Sequence, residues 1–253
     1  MGGSGGGRQH DMRVLDLFSG IGGFSLGLER AGMRTVAFCE IDPYCRAVLR
    51  KHWPDVPIFD DVCALGTESL ASVEPIDVIC GGFPCQDISL AGKGAGLAGE
   101  RSGLWREFRR LIREIRPRYV IVENVAALLG RGLGDVLGDL AALGFDAEWD
   151  CIPAAAVGAL HYRDRLWITA YPHANSVRPQ RLRPIASGTW GEQQFARLVQ
   201  DQIRFSVPAG RMFSLSDGVP GRMGQLKAYG NAVVPQIPEI IGRAIMRAEG
   251  LAA

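Results

Sequence analysis

Short apolar runs alternate with longer stretches in which apolar residues return every three or four positions, which predicts repeated strand–helix units over the first two-thirds of the chain. Strand-like runs fall at 14–18, 35–40, 58–61, 77–80 and 118–123, with helical patterns at 24–31, 43–51 and 103–115. Gly32 closes the first helix and Pro43 opens the second, each a residue suited to that position. The third helix gathers Leu104, Phe108, Leu111, Ile112 and Ile115 on one face. A further helix at 136–143 leads into an extended run at 145–151, and 166–170 reads as a later strand. Strands that are apolar throughout belong inside a mostly parallel sheet covered on both faces, so the fold class is α/β.

Regular patterning weakens from 171 to about 222, where prolines, glycines and arginines dominate around one modest helical stretch at 193–202. An amphipathic helix at 237–249 then returns to the main body. The expected organisation is a flexible linker or tag at 1–11, a catalytic domain from 12–171 plus 226–253, and a small irregular lobe at 172–225. Apolar content of 47% and charged content of 22% suit a globular protein. Apolar runs are strand-sized, and the glycine-rich start has no hydrophobic stretch, so neither a membrane span nor a signal peptide is expected. Six cysteines without paired Cys-x-x-Cys spacing point to a reducing, cytoplasmic setting and away from structural zinc. The net charge of +1 says little, but between Pro172 and Gln225 seven arginines stand against three acids. Guanidinium forks suit phosphates and guanine edges, which makes nucleic acid a candidate partner.

Two loops carry candidate chemistry. Gly81-Gly82-Phe83-Pro84-Cys85-Gln86 follows a buried strand, and its proline stiffens the turn that presents the Cys85 thiol. The other five cysteines lie in apolar or helix-like surroundings, where a thiol behaves as a small hydrophobe. Asp16-Leu17-Phe18-Ser19-Gly20-Ile21-Gly22-Gly23-Phe24 places glycines at a strand-to-helix turn, where a dinucleotide, a nucleotide or S-adenosylmethionine fits equally well. Glu40 ends the second strand, placed to accept from ribose hydroxyls, and Asp61 ends the third, placed to accept from an adenine amino group. No Gly-x-x-x-x-Gly-Lys-Ser/Thr loop is present, which argues against an ATPase or kinase.

These motifs and four others, in order, resemble the cytosine-5 DNA methyltransferases of bacterial and phage type. Asp16 to Gly23 resembles the family's cofactor loop and Gly82-Phe83-Pro84-Cys85-Gln86 its nucleophile loop. Ser89 to Leu104 resembles the continuation of that loop, Glu123-Asn124-Val125 the Glu-Asn-Val motif, Arg163-Asp164-Arg165 the paired arginines, and Gly230 to Pro235 the closing motif. His161 departs from the usual glutamine, and Leu215 to Arg222 resembles a phage or prophage subgroup.

The resemblance implies a Rossmann-like S-adenosylmethionine-dependent sheet with a small target-recognition lobe, acting on cytosine in double-stranded DNA. It makes Cys85 the nucleophile at C6, Glu123 the partner of N3, and Arg165, with Arg163 beside it, the partner of O2. For S-adenosylmethionine it implies Phe18 against adenine, Glu40 at the ribose, Asp61, with the adjacent Asp60 as its rival, at the adenine amino group, and Leu104 and Asn231 on the methionine side. Gly20, Gly22, Gly23, Ile41, Val62, Gly82 and Pro84 complete the implied cofactor pocket. No metal is expected. A thiol reaches cytosine only when the base is flipped out of the duplex, and the glycines between Gln86 and Gly99 suit a closing lid. One flipped base needs only a monomer. A cognate restriction endonuclease, in a bacterial or phage-infected cell, is a further expected partner.

Overall fold

The computed structural model describes residues 11–84, 103–159, 163–173 and 230–251. Cys85, the glycine-rich stretch at 86–99, His161, the recognition region from 174 onward and its expected helix at 193–202 lie outside the described residues.

The elements run β1 (Arg13–Leu17), α1 (Gly23–Arg30), β2 (Arg34–Cys39), α2 (Pro43–His52), β3 (Ile58–Phe59), β4 (Val78–Gly81), α3 (Leu104–Ile115), β5 (Tyr119–Val125), α4 (Leu128–Arg131), α5 (Leu133–Ala142), β6 (Phe145–Pro153), β7 (Asp164–Pro172) and α6 (Gln236–Ala248). Each element expected from the pattern within the described residues is present, with ends shifted by a few residues. The short α4 is not legible as a helix in the sequence, and α5 starts three residues before the expected position because Gly134 and Gly138 dilute its pattern.

Local chemistry explains the helix ends. Asp42 caps α2 by accepting from the backbone N–H of Tyr44 (2.9 Å) and Cys45 (3.4 Å), while Arg50, Lys51 and His52 occupy its last turn. Helix α3 buries Trp105, Phe108, Leu111 and Ile112 and ends where Arg116 turns left-handed.

Seven strands form one sheet in the order β3-β2-β1-β4-β5-β7-β6. From β3 to β5 all pairings are parallel, whereas β7 runs antiparallel to both β5 and β6. Helices α3 and α5 cover one face around Leu15, Ile79, Phe108, Val120 and Val136. On the other face α1 and α6 cover Val14, Val78, Ile121 and Trp167. The chain order turns back between β1 and β4, and the crevice beyond the carboxyl ends of strands at such a switch is where open α/β sheets hold ligands.

Helices α1 and α6 approach closely because a glycine lies between them. A Cβ on Gly27 would stand 2.2 Å from the Pro235 carbonyl oxygen and 2.7 Å from Pro238 Cγ. Gly27→Ala is therefore expected to force the two helices apart and lower stability by about 2 kcal/mol, read from the denaturant midpoint. An unchanged midpoint would overturn this packing. Among the described residues no helix is long and apolar enough to cross a membrane, and no group of three His, Cys, Asp or Glu is placed to hold a metal ion.

Candidate active site

Strand register brings the two candidate loops together. Leu17 pairs with Gly81 and Gly81 with Val122, so the glycine loop, the nucleophile loop and the end of β5 leave the sheet side by side. Because β7 is antiparallel, its first residues lie at the same edge, with Arg165 opposite Val125. Glu123, two residues earlier on β5, accepts from Arg165 Nε at 2.9 Å.

Glu123 is largely buried, and burial pushes its carboxyl above the usual range; the charges of Arg165 and Arg163 and the Arg165 hydrogen bond oppose that rise without cancelling it. The carboxyl therefore releases its proton at higher pH than a free glutamate does, although it is paired to a guanidinium. Arg163 is shifted the opposite way, lowered by burial and by the positive charge of Arg165. Its Nη1 donates to the Gly230 carbonyl.

The backbone of the nucleophile loop leans on this acid. A Cβ on Gly82 would stand 2.8 Å from Glu123 Oε2, the mobile end of a side chain. Gly82→Ala is expected to leave folding intact, since that end can swing, yet to pull the carboxylate away from Arg165. The measurement is a melting temperature beside a turnover rate: a normal melt with turnover at least about 10-fold lower is expected, and normal turnover would show that the carboxylate position does not matter.

In the sequence Asn124 stands only as the middle residue of the Glu-Asn-Val motif, with no role of its own. Only 2% exposed, it donates from Nδ2 to the Phe83 carbonyl (3.1 Å) and accepts from the Val125 N–H (2.8 Å), tying the nucleophile loop to β5. A carboxamide beside an acid at the end of an apolar strand is the signal available.

At the glycine loop, Gly20 donates its N–H to Glu40 Oε2 and Asp42 donates its N–H to Glu40 Oε1, both at 2.7 Å. The carboxylate is fixed at the strand end with lone pairs to spare. Arg46 Nη1 holds the turn that follows, donating to the Glu40 (3.1 Å) and Ile41 (2.7 Å) carbonyls. Ile41 is 74% exposed, and Phe18, half-buried with φ 53°, stacks on Phe108 at 6.4 Å between centroids. Two apolar surfaces thus flank an anchored acid, a combination that fits a nucleoside.

Gly22 and Gly23 do packing work. Gly22, at φ 87°, has Trp53 where a Cβ would stand, and Gly23 meets the Val233 carbonyl. Asp61 is exposed and accepts from the Cys63 N–H at 2.8 Å, whereas Val62 is buried in the core with only its carbonyl engaged, by Arg110. Leu104 begins α3, Pro84 is half-buried after Phe83, and Asn231 is exposed beside Gly230.

A fully buried acid lies beneath the glycine loop. Asp16 Oδ2 accepts from Ser25 Oγ at 2.7 Å, Oδ1 has no hydrogen-bond partner among the described residues, and Cys80 is its strand neighbour. Burial pushes Asp16 up to about 8 and lifts Cys80 well above the usual thiol range.

The sequence profile of the C-5 cytosine-specific DNA methylase family matches residues 12–204. Type II methyltransferase M2.BsuMI of Bacillus subtilis is 36% identical over 167 residues, covering 63% of this chain and 42% of the relative. M.Eco47II of Escherichia coli is 36% identical over 166 residues, covering 62% and 39%. The match thus spans less than half of either relative's length. Among solved structures, an E. coli prophage-encoded protein described as a DNA modification methyltransferase aligns with a TM-score of 0.55 at 26% identity, over 64% of this chain and 47% of that one. Dnmt2 of Spodoptera frugiperda shares the fold, with a TM-score of 0.55 at 20% identity over 68% and 53%. A profile match across most of the chain, laid over a Rossmann-like sheet whose motif residues meet at one edge, shows that the chain belongs to the C-5 cytosine-specific DNA methylase family.

Proposed function

We propose that the chain is a DNA (cytosine-5-)-methyltransferase that acts on a cytosine flipped out of double-stranded DNA, with S-adenosylmethionine as methyl donor. The observation that carries this reading is the Glu123–Arg165 pair at 2.9 Å, whose acid is held towards its protonated form by burial, at the strand edge where Gly82 begins the nucleophile loop.

Cytosine is a poor nucleophile at C5. The Cys85 thiolate adds to C6, forming an S–C6 bond and pushing an electron pair into the ring towards N3. Glu123 meets that charge with a proton or a hydrogen bond at N3, and Arg165 orients Glu123 while facing O2. Phe18, Glu40, Ile41 and Asp61 would hold S-adenosylmethionine, which would supply an electrophilic methyl group to the C5 electron pair and leave as S-adenosylhomocysteine. Loss of the C5 proton to solvent then re-forms the C5–C6 double bond and expels the Cys85 thiolate as the S–C6 bond breaks, and N3 returns its proton to Glu123. The arginines of 172–225 provide phosphate and base contacts. The chain works as a monomer in the cytoplasm, and a cognate restriction endonuclease is a candidate partner.

The test is transfer of labelled methyl groups to duplex DNA, with transfer RNA in parallel. Wild type is expected to label DNA, and Cys85→Ser to lose at least about 10³-fold in rate. A duplex carrying 5-fluorocytosine is expected to trap a covalent adduct, because fluorine does not leave as a cation. Full activity of Cys85→Ser would exclude the covalent route, and labelling of transfer RNA alone would move the substrate to RNA.

A further inference from the structure

The closing motif is gripped from two directions. On one side α1 supplies glycines: a Cβ on Gly23 would stand 2.5 Å from the Val233 carbonyl oxygen, and one on Gly27 2.2 Å from that of Pro235. The backbone of 233–235 therefore rests directly on the helix that follows the glycine loop. On the other side, Arg163 Nη1 donates to the Gly230 carbonyl, next to Asn231. Arg163 makes no ion pair among the described residues, because the nearby acid, Glu123, is engaged by Arg165. The two arginines are only two positions apart, yet one faces the acid and the other faces the closing motif.

We propose that Arg163 is a positioning residue for the cofactor side: its guanidinium clamps Gly230, holds the segment carrying Asn231 against α1, and so couples cofactor binding to the pocket marked by Glu123 and Arg165. This rests on the reading that S-adenosylmethionine binds beside the glycine loop. The division of labour follows from chemistry. A guanidinium donates up to five hydrogen bonds and accepts none, so an arginine beside an acid already paired turns to the next strong acceptor, here a backbone carbonyl. Losing a charged hydrogen bond that orders a pocket wall weakens a ligand in that pocket, whereas losing the arginine on the base side does not.

The test is calorimetric titration of S-adenosylhomocysteine, without DNA, into wild type, Arg163→Ala, Arg163→Lys and Arg165→Ala. Arg163→Ala is expected to bind about 10-fold more weakly or worse, Arg163→Lys to recover part of the loss, and Arg165→Ala to stay within about 2-fold of wild type. Wild-type affinity in Arg163→Ala, or an equal loss in Arg165→Ala, overturns the proposal. Amide exchange of the apo protein judges the clamp without a ligand. The N–H groups of Ile237 and Glu239 bond to the carbonyls of Val234 and Pro235. They are expected to exchange faster in Arg163→Lys while those of β1 do not, and unchanged exchange overturns the clamp. Failure of the wild-type chain to bind S-adenosylhomocysteine overturns the cofactor reading instead, and the coupling with it.

Discussion

Replacing Glu123 by alanine is expected to lower methyl transfer to duplex DNA by about 10³-fold, within the 10²–10⁴ range for loss of a positioned proton donor. Two things are lost together. On the proposed mechanism the N3 edge of the ring loses its partner, and Arg165 loses the carboxylate it meets at 2.9 Å. Glu123→Gln separates them, since an amide keeps an oxygen for Arg165 and a hydrogen-bond donor for N3 but has no proton to give. It is expected to be more active than Glu123→Ala and still well below wild type.

The pH dependence carries the sharper signature. Burial raises the Glu123 carboxyl, so activity that needs its proton is present below the raised value and is lost as pH climbs through it. In Glu123→Gln that falling limb should vanish. Rate measurements from pH 5.5 to 9 decide the matter: superimposable wild-type and Glu123→Gln profiles would remove Glu123 from proton transfer.

Asp16 sets the second large effect, on stability. An aspartate free in solution titrates near 3.8, and burial holds Asp16 up to about 8. Between those values the folded chain keeps a proton that the unfolded chain has released. Stability therefore falls as pH rises, by about 1.4 kcal/mol per unit, and levels off above about pH 8. Over the whole window the loss is about 6 kcal/mol.

Asp16→Asn removes the titration and keeps an acceptor for Ser25 Oγ, although its amide then lies where Oδ1 has no partner. The variant is expected to be slightly less stable than wild type at pH 5 and clearly more stable at pH 8.5, measured by denaturant midpoints. Parallel pH profiles for the two proteins would mean that Asp16 does not carry a buried proton. Asp16 also adjoins the glycine loop, where Ser19 Oγ donates to the Asp16 backbone carbonyl at 2.6 Å.

The main elements were legible because strand and helix leave local periodicities. The apolar runs at 14–18 and 118–123 overlap β1 and β5, and the face read at Leu104, Phe108, Leu111 and Ile112 lies against the core of α3. Motif order was equally readable, since Asp16 to Gly23, Glu123-Asn124-Val125 and Arg163-Asp164-Arg165 are contiguous in the chain. Strand direction was not. The run Leu166 to Ala170 looks the same whichever way it lies, and only pairing with Val120 to Val125 shows that β7 runs antiparallel. That reversal carries Arg165 to the carboxyl edge of β5.

Sequence alone determined the α/β class, the ordered motifs and the residue types available for chemistry, because each is a property of neighbours along the chain. The tertiary structure decided which of them meet. Arg165 on Glu123, Arg163 on Gly230, Asn124 on Phe83 and the Asp16 oxygen without a partner among the described residues all arise between segments brought together across the sheet or left dry by its helices. Hydrogen bonds and burial act over a few ångströms of space, and residues 40 or more positions apart in sequence carry no local mark of that closeness.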